Sequence, residues 1–234
     1  MTSIKVRDRR YRANNPTTPA HTLEDLSTDT DRHVRIGVAA NHNTEPEILV
    51  TLAADTDPRV RQNVAYNANT PPDILTTLAT DTVDGVRRRV AHNPNTPPHA
   101  LATLVSDIGS VRLHLSDNPN TSPAILDVLA ADDSPKLRAC VARNPHTPTT
   151  TVHDLTTDPV PEVAHAATTT GRANCLHRYA NTLPEPDRSH ALLLVEAGFP
   201  GWPDQLATVL DTQRTITITG SISLRDPAAV TIHT

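Results

Sequence analysis

The chain has 234 residues, a mass of 25.3 kDa and a formal net charge of −5, and only 2% of its residues are aromatic. So few aromatic residues exclude a bulky aromatic core, and any core must be built from Leu, Val, Ile and Ala. With 21 prolines and two cysteines, the composition disfavours a compact enzyme fold and a disulfide framework, and leaves a repeat array or a disordered chain.

Residues 1–14 are predicted to form a basic lead or cap. No apolar segment of a secretory signal follows it, and two cysteines fit a reducing compartment, so we expect a cytoplasmic protein. The longest apolar run, residues 191–195, is far too short to span a membrane. The basic residues of the lead are Lys5, Arg7, Arg9, Arg10 and Arg12.

A repeat with a period of about 26 residues occupies residues 15–170. Two consecutive units read VRQNVAYNANTPPDILTTLATD and VRRRVAHNPNTPPHALATLVSD. The sequence therefore predicts an all-α solenoid of about six to seven two-helix repeats. The recurring asparagines are Asn15, Asn41, Asn67, Asn93, Asn118 and Asn144.

Helix A of each unit is predicted to end at the recurring asparagine. Asp57 followed by Pro58 has the pattern of an N-cap with proline at the first helical position, and Ser134 followed by Pro135 repeats it. An apolar pair four residues apart, such as Val60 and Val64, places one stripe on the helix.

Helix B follows a Thr-Pro step. Thr44 and Glu47 have the spacing of a capping box, and Thr70 recurs at the same position with prolines after it. Leu75 and Leu78 lie on one face. Helices this short are unstable alone and must stack, and some are expected to be single turns or 3₁₀-helical.

The motif VRxxVAxNPNTPPxxLxxLAxD, over residues of about 9–170, resembles the variant leucine-rich repeat, a HEAT-like, bacterial-type repeat. The resemblance implies a right-handed α-solenoid of alternating α- and 3₁₀-helices with no strand in the repeats. Some members carry a cysteine-ligated iron–sulfur cluster ahead of the repeats. This chain has no cysteine before Cys140, so we expect no such cluster and no other cofactor.

Aspartate and arginine also recur once per unit, which predicts a structural ladder between neighbouring units. A charged binding stripe is the alternative interpretation. The recurring asparagines are expected to adopt the left-handed conformation and to bond the turn backbone. The residues assigned to this structural set are Asp55, Arg61, Asn67, Asp81, Arg87 and Asn93.

Binding in a solenoid is expected at positions that vary between units. The variable positions of helix A offer contacts for a partner with acidic or amide groups. The alternative is that they are ordinary exposed side chains without a role. The candidate binding residues are Tyr66, Arg88, Arg89, His92 and Arg143.

No catalytic or metal-binding motif is present: HExxH, CxxC, GxSxG, GxGxxG and P-loop patterns are all missing from the sequence. The 12 histidines share no common phase, and a metal site needs three or four convergent ligands. We therefore predict a protein that is not an enzyme and has neither catalytic residues nor a metal site.

After residue 170 the repeat decays. Residues 171–212 are predicted to be degenerate repeats and a cap, with one more helix B at 175–180 and Phe199 and Trp202 in the cap. Residues 213–234 alternate in polarity and predict a β-hairpin of strands 215–219 and 222–224, with 230–232 as a third strand. The hairpin either packs on the cap or pairs two copies of the chain through its edge.

The most favoured function is a non-enzymatic scaffold that binds an unidentified protein. Nucleic-acid binding through the Arg-rich N-terminus and Arg87–Arg89 is the alternative, although residues 17–170 carry a net charge of −8. A solenoid lyase or glycosylase is the third hypothesis, but no candidate pair of carboxylates supports it. No membrane interaction is expected.

Overall fold

A computed structural model of the chain describes residues 5–180, 217–219 and 231–233, with side chains placed over residues 5–171. The chain forms two compact units, Met1–Thr151 and Val152–Thr234. Each unit is considered by itself below.

The first unit is built from alternating helices A and B, and each helix A packs against the next helix A along the chain. This layering confirms the predicted α-solenoid. The helices A are α1 (Val6–Asn14), α3 (Arg32–Ala40), α5 (Pro58–Tyr66), α7 (Asp84–His92), α9 (Gly109–Asp117) and α11 (Pro135–Arg143). The helices B are α2 (Ala20–Ser27), α4 (Pro46–Leu52), α6 (Pro72–Leu78), α8 (Pro98–Ala102), α10 (Pro123–Leu129) and α12 (Thr149–Leu155), the last of which crosses the unit boundary.

The core is a narrow aliphatic layer between the helices A and B. In the third repeat it contains Val60 and Val64 from α5 and Leu75 and Leu78 from α6, all buried. Each such side chain stabilises the fold by about 1.5–3 kcal/mol through burial. Because the helices of the first unit are no longer than nine residues, none is stable alone, and this shared layer holds them in place.

Helix A begins at a side-chain cap in three of the repeats. The Asp57 carboxylate accepts a hydrogen bond from the backbone N–H of Arg59 at 2.8 Å, with Pro58 at the first helical position. The Ser134 hydroxyl accepts one from the Leu137 N–H at 3.4 Å. The two predicted N-caps are thereby confirmed, and Asp31 caps α3 in the same way.

The predicted capping box at Thr44 is wrong. The Thr44 hydroxyl donates to the Val38 carbonyl at 2.6 Å, back in helix A, and the N-cap of α4 is Glu45. Thr70 donates to the Val64 carbonyl in the same manner. The last carbonyls of helix A are buried and need a donor, whereas the exposed start of helix B is open to water.

The expected left-handed asparagines are also not found. Asn67 has φ −68° and ψ 131°, which is extended backbone. Its Oδ1 accepts from the Asn69 N–H at 2.9 Å, and its Nδ2 donates to the carbonyls of Ala39 and Asn41 at 2.9 and 3.0 Å. Extended backbone lets this one amide close its own turn and also reach the preceding repeat.

The recurring arginines and aspartates form a second set of contacts between repeats. Arg61 Nε donates to Asp81 Oδ2 at 2.6 Å, and Arg61 Nη1 donates to the Asp55 carbonyl at 2.8 Å, so one guanidinium joins two successive turns. Asp81 Oδ1 in turn accepts from the Val83 N–H. The Nε–Oδ2 distance lies between 2.5 and 2.7 Å in the pairs Arg9–Asp29, Arg35–Asp55, Arg61–Asp81, Arg87–Asp107 and Arg112–Asp132.

These contacts lower the pKa of the ladder carboxylates. Burial by itself raises the pKa of Asp81, but the hydrogen bonds from Arg61 and from the Val83 N–H outweigh it and hold the pKa below its usual value. The same balance lowers the pKa of Asp55 beside Arg35. The ladder is therefore formed by ionised carboxylates at neutral pH.

Both helices of each described repeat are α-helical, so the alternation with 3₁₀-helices that the resemblance implies is not found. In α4 the Ala53 N–H reaches the Leu49 carbonyl, four residues back, whereas the last bonds, from Ala54 to Thr51 and from Asp55 to Leu52, span three residues. Bonds of the 3₁₀ type tighten the last turn of helix B, and they also occur at the ends of helix A, as from Val60 to Asp57 and from Asn67 to Val64.

The second unit contains α13 (Pro161–Ala180), a continuous helix of 20 residues. The predicted separate helix B at 175–180 is therefore wrong. Thr170 stands where the earlier repeats have asparagine, and Gly171 rather than a proline-containing turn follows it. Without those residues nothing ends helix A after its third turn.

Two short strands, β1 (Thr217–Thr219) and β2 (Thr231–His233), pair antiparallel with Ile218 opposite Ile232. The predicted hairpin between 215–219 and 222–224 has no support, because residues 220–230 lie outside the described residues. Residues 181–212 of the predicted degenerate repeats and cap (171–212), including Phe199 and Trp202, also lie outside them.

We expect Asn93→Ala to lower the free energy of unfolding by about 2–3 kcal/mol, because it leaves buried carbonyls without a donor. Asn93 is 1% exposed and donates to the Ala65 and Asn67 carbonyls at 2.8 and 3.1 Å. Urea unfolding followed by circular dichroism measures the change. Asn63→Ala is the matched control, since Asn63 bonds only the Arg59 carbonyl of its own helix. Equal losses in the two variants would contradict this role.

Acid should weaken the ladder. The pKa of Asp81 is lower in the folded chain than in the unfolded chain. Its contribution to the free energy of unfolding is therefore complete above a pH of about 4, where Asp is ionised in an unfolded chain. That contribution is lost as the pH falls through the folded pKa. We expect Asp81→Asn to be less stable at pH 7 and to lose less stability on acidification than the parent. Urea unfolding at pH 7, 4 and 3 tests this, with the exposed Asp73→Asn as control. Parallel pH profiles for parent and Asp81→Asn would count against it.

Candidate binding surface on the helices A

Three successive helices A bring variable side chains together on their exposed face. Tyr66 of α5 and His92 of α7 directly precede the recurring asparagine, and Arg89 and His114 of α7 and α9 lie two positions after the recurring arginine. With Arg88 these residues are called the aromatic–cationic cluster. The ladder beneath them, through Arg61–Asp81 and Arg87–Asp107, holds the three helices in register.

The cluster is a chain of ring contacts that crosses from repeat to repeat. The rings of Tyr66 and His92 are stacked, with centroids 5.9 Å apart and an angle of 5° between their planes. His92 and His114 meet edge to face at 5.3 Å. The Arg89 guanidinium carbon lies 4.8 Å from the centroid of the Tyr66 ring, in cation–π geometry. Tyr66 nevertheless remains 52% exposed.

His114 is the titratable group whose environment is most unusual in the cluster. Burial lowers its pKa, and the neighbouring His92, Arg88 and Arg89 lower it further, while Asp117 opposes them. The imidazole is therefore neutral at pH 7 in the free protein. Arg88 and Arg89 are both exposed, and neither makes an ion pair within the described residues.

Lys and Arg residues are concentrated in the helices A, which also carry the carboxylates of Asp8, Asp84 and Asp117. Over residues 5–171 every Lys and Arg lies in a helix A, apart from Lys5 directly before α1, and the helices B contain none. The face of the helices A is therefore where an anionic partner would find cations. The acidic residues of the helices B are Glu24, Asp25, Glu47, Asp73, Asp127 and Asp154.

Of the five candidate binding residues, the structure brings Tyr66, Arg89 and His92 into contact and places Arg88 beside them. Arg143 lies apart on α11 and donates to Cys140 Sγ at 3.4 Å. The structural set, Asp55, Arg61, Asn67, Asp81, Arg87 and Asn93, lies in the contacts between repeats described above.

His114 was not among the predicted binding residues. It occupies, one repeat later, the position that Arg89 has in α7. Aligning helices A by their recurring arginine would have placed it in the same row. The alignment does not show that the position two after the arginine contacts the position before the asparagine in the preceding repeat.

Other chemistry is sparse in the described part of the chain. Among its side chains no three His, Cys, Asp or Glu residues come together in a way that could hold a metal ion. Cys140 is buried and not in a disulfide. None of its helices has the length and apolarity that crossing a membrane would require. In the basic N-terminal helix, Arg9 and Arg10 are paired with Asp29 and Asp31.

Comparison with known proteins finds similar helical repeats. Residues 58–82, which include α5 and α6, match the leucine rich repeat variant family. The chain is similar to the solved structure of a leucine-rich repeat variant described as a novel repetitive motif, with 26% identity over 72% of this chain and 67% of that chain, and a TM-score of 0.55. The crystal structure of an engineered protein matches 70% of this chain and 87% of its own at 20% identity, with a TM-score of only 0.33. No curated protein sequence matches the chain.

We expect Arg88→Gln to raise the pKa of His114, because it removes one of the positive charges that disfavour the imidazolium. A pH titration of the His114 ring protons by NMR measures it. The control is Lys136→Gln, which removes an exposed charge from α11 instead. An unchanged His114 midpoint in Arg88→Gln would show that the arginine does not act on the ring.

Proposed function

Because the chain is a helical repeat protein of the variant leucine-rich repeat type, we propose that it is a non-enzymatic scaffold that binds a protein partner through the exposed face of the helices A. A stack of repeats offers an extended surface whose framework is the same in every unit and whose exposed positions vary. Binding by surface complementarity requires no bond chemistry.

The aromatic–cationic cluster is the observation that carries this proposal. Tyrosine and arginine are enriched among the residues that dominate the binding energy of protein interfaces. Here Arg89 is held over the Tyr66 ring and Tyr66 is stacked on His92. A partner would therefore meet side chains that are already ordered, which reduces the cost of binding.

The polar residues that recur in every repeat support a structural rather than a catalytic use. The buried asparagines bond carbonyls of the preceding repeat, and the half-buried arginines bond aspartates of the next turn. Groups engaged in this way have little freedom to exchange protons with a substrate. The exposed variable positions are what remains for recognition.

Nucleic-acid binding stays the second candidate because the cations lie together on the helices A. Its proposed contacts are weakened by the pairing of Arg87 with Asp107 at 2.5 Å and of Arg10 with Asp31 at 2.6 Å. Fewer free cations mean fewer phosphate contacts and a weaker salt-dependent affinity. The cytoplasmic location, the predicted domain limits and self-association through residues 213–234 stay predictions.

The proposal is tested by affinity capture from a native lysate at two salt concentrations, with Arg88→Glu/Arg89→Glu alongside the parent. We expect one protein to be retained at both salt concentrations and to be lost from the variant. An Arg7→Glu/Lys136→Glu variant controls for the change in net charge and should keep the partner. Retention of nucleic acid alone, at low salt only, would replace the scaffold function by the second candidate.

A further inference from the structure

The cluster presents two exposed guanidinium groups whose charges no ion pair neutralises in the described part of the chain. Ladder arginines are neutralised by aspartates, whereas Arg88 and Arg89 make no ion pair within the described residues. Arg89 is positioned by the Tyr66 ring, 4.8 Å from its centroid. A guanidinium whose position is already restricted loses less freedom when it binds a carboxylate in bidentate fashion.

The rings of the cluster are poorly suited to stacking on nucleobases. Single-stranded nucleic acid binds on aromatic side chains whose faces are free to receive a base. Here Tyr66 already stacks with His92 and lies beneath Arg89, and His92 also contacts His114. The rings serve to order the cations, which leaves recognition to charge and hydrogen bonds.

The spacing of the cluster fits an extended polypeptide. Packed helices lie about 8–10 Å apart, and an extended chain advances about 3.3 Å per residue, so it passes one helix about every three residues. The first anion-binding site lies at the contact between α5 and α7, where Arg89 lies over Tyr66. The second lies at the next such contact, between α7 and α9, where His92 meets His114. Two carboxylates about three residues apart would reach both sites.

We propose that the aromatic–cationic cluster binds an extended acidic peptide segment, about six to seven residues long, with carboxylates three residues apart that engage Arg88/Arg89 and His92/His114. This inference rests on the proposed scaffold function and specifies its partner. The acidic helices B, which carry no Lys or Arg, cannot compete for such a segment.

Binding of such a segment is coupled to protonation of His114. The charged and titratable groups that act on this ring are His92, Arg88 and Arg89 on α7 and Asp117 on α9 itself. Burial and then the neighbouring cations lower the pKa of the ring, and a carboxylate of the bound peptide offsets the cations and favours the imidazolium. The complex therefore takes up a proton, and affinity rises as the pH falls.

The other helices packed on α9 do not reverse this effect. On α11, Cys140 occupies the row of His114, and Arg143 donates to its Sγ at 3.4 Å. On α10, Asp127 accepts a hydrogen bond from the Thr151 hydroxyl. Apart from Asp117 on α9 itself, the carboxylate that would stabilise a charged His114 must therefore come from the partner.

The test is a fluorescence anisotropy titration of the full chain with a labelled Gly/Ser peptide that contains two glutamates three residues apart. The same peptide with glutamines in their place is the matched probe. We expect at least about tenfold tighter binding of the glutamate peptide, since charge-assisted hydrogen bonds are much the stronger kind. Between pH 8 and pH 5.5 its affinity should rise about three- to tenfold, as expected for a pKa rise of up to one unit.

Three variants locate the effect. Arg88→Gln/Arg89→Gln should lose the preference for glutamate, and His114→Gln should lose the dependence on pH. Arg7→Gln/Lys136→Gln, which removes two exposed charges elsewhere on the helices A, should change neither by more than about twofold. Circular dichroism and urea midpoints establish that each variant is folded.

Two results would overturn the inference. Equal affinity for the two peptides, in a chain that is folded, would exclude carboxylate recognition. A labelled oligothymidine that binds more tightly than the glutamate peptide and loses affinity in Arg88→Gln/Arg89→Gln would assign the cluster to single-stranded nucleic acid. If the two peptides bind equally while capture from the lysate still depends on the cluster, the proposal of an acidic partner segment fails and the scaffold function stands.

Discussion

The hydrogen bonds of one buried amide per repeat are the constraint on which the rest of the first unit depends. Asn67 closes its own turn through Oδ1 and holds two carbonyls of the preceding repeat through Nδ2. Those carbonyls end a helix and are buried, so they need donors that helix packing does not supply. Because the amide is short, it can reach them only when neighbouring helices A are in strict register. The aliphatic core supplies most of the stabilisation, but the asparagines decide how the layers align.

The repeat with one residue fewer shows where that constraint acts. Asn93 and Asn118 are 25 residues apart, yet Asn118 still donates to the carbonyls of Ala91 and Asn93, at 2.7 and 2.9 Å. The deletion is absorbed before α9, where Asp107 Oδ1 accepts from the next residue, Ile108, instead of from the residue after that. Arg112 still reaches the Asp107 carbonyl. The start of helix A tolerates a change in length because it faces solvent, whereas the buried end with its asparagine does not.

The period, the helix pairs and the N-cap at Asp57 could be predicted because each depends on residues within one helical turn of one another or on a repeat visible by eye. The roles of Thr44 and Asn67 could not. The partner of Thr44 lies six residues back, in another helix, and the partners of Asn67 lie 26 and 28 residues back. Local capping rules describe the nearest free backbone groups, whereas these residues serve groups that become neighbours only after the repeats have stacked. The end of the array was misread because the apolar pattern alone suggests a further helix B, although the replacement of the helix-ending asparagine by Thr170 can be read from the sequence.

The binding surface follows the same logic of stacking. Arg89 lies over Tyr66, and His114 meets His92, so the position two after the recurring arginine contacts the position before the asparagine one repeat earlier. Gly37 shows the same contact in its smallest form, since a Cβ atom there would lie only 2.7 Å from the Asn14 side chain. In these three places the face is therefore made by two different rows from two repeats. A row read along the sequence contains half of each patch, so Tyr66, His92 and Arg89 could be predicted as candidates, whereas the contact of His114 with His92 could not. It also means that the two positions must change together for a repeat to acquire a new partner without losing its packing.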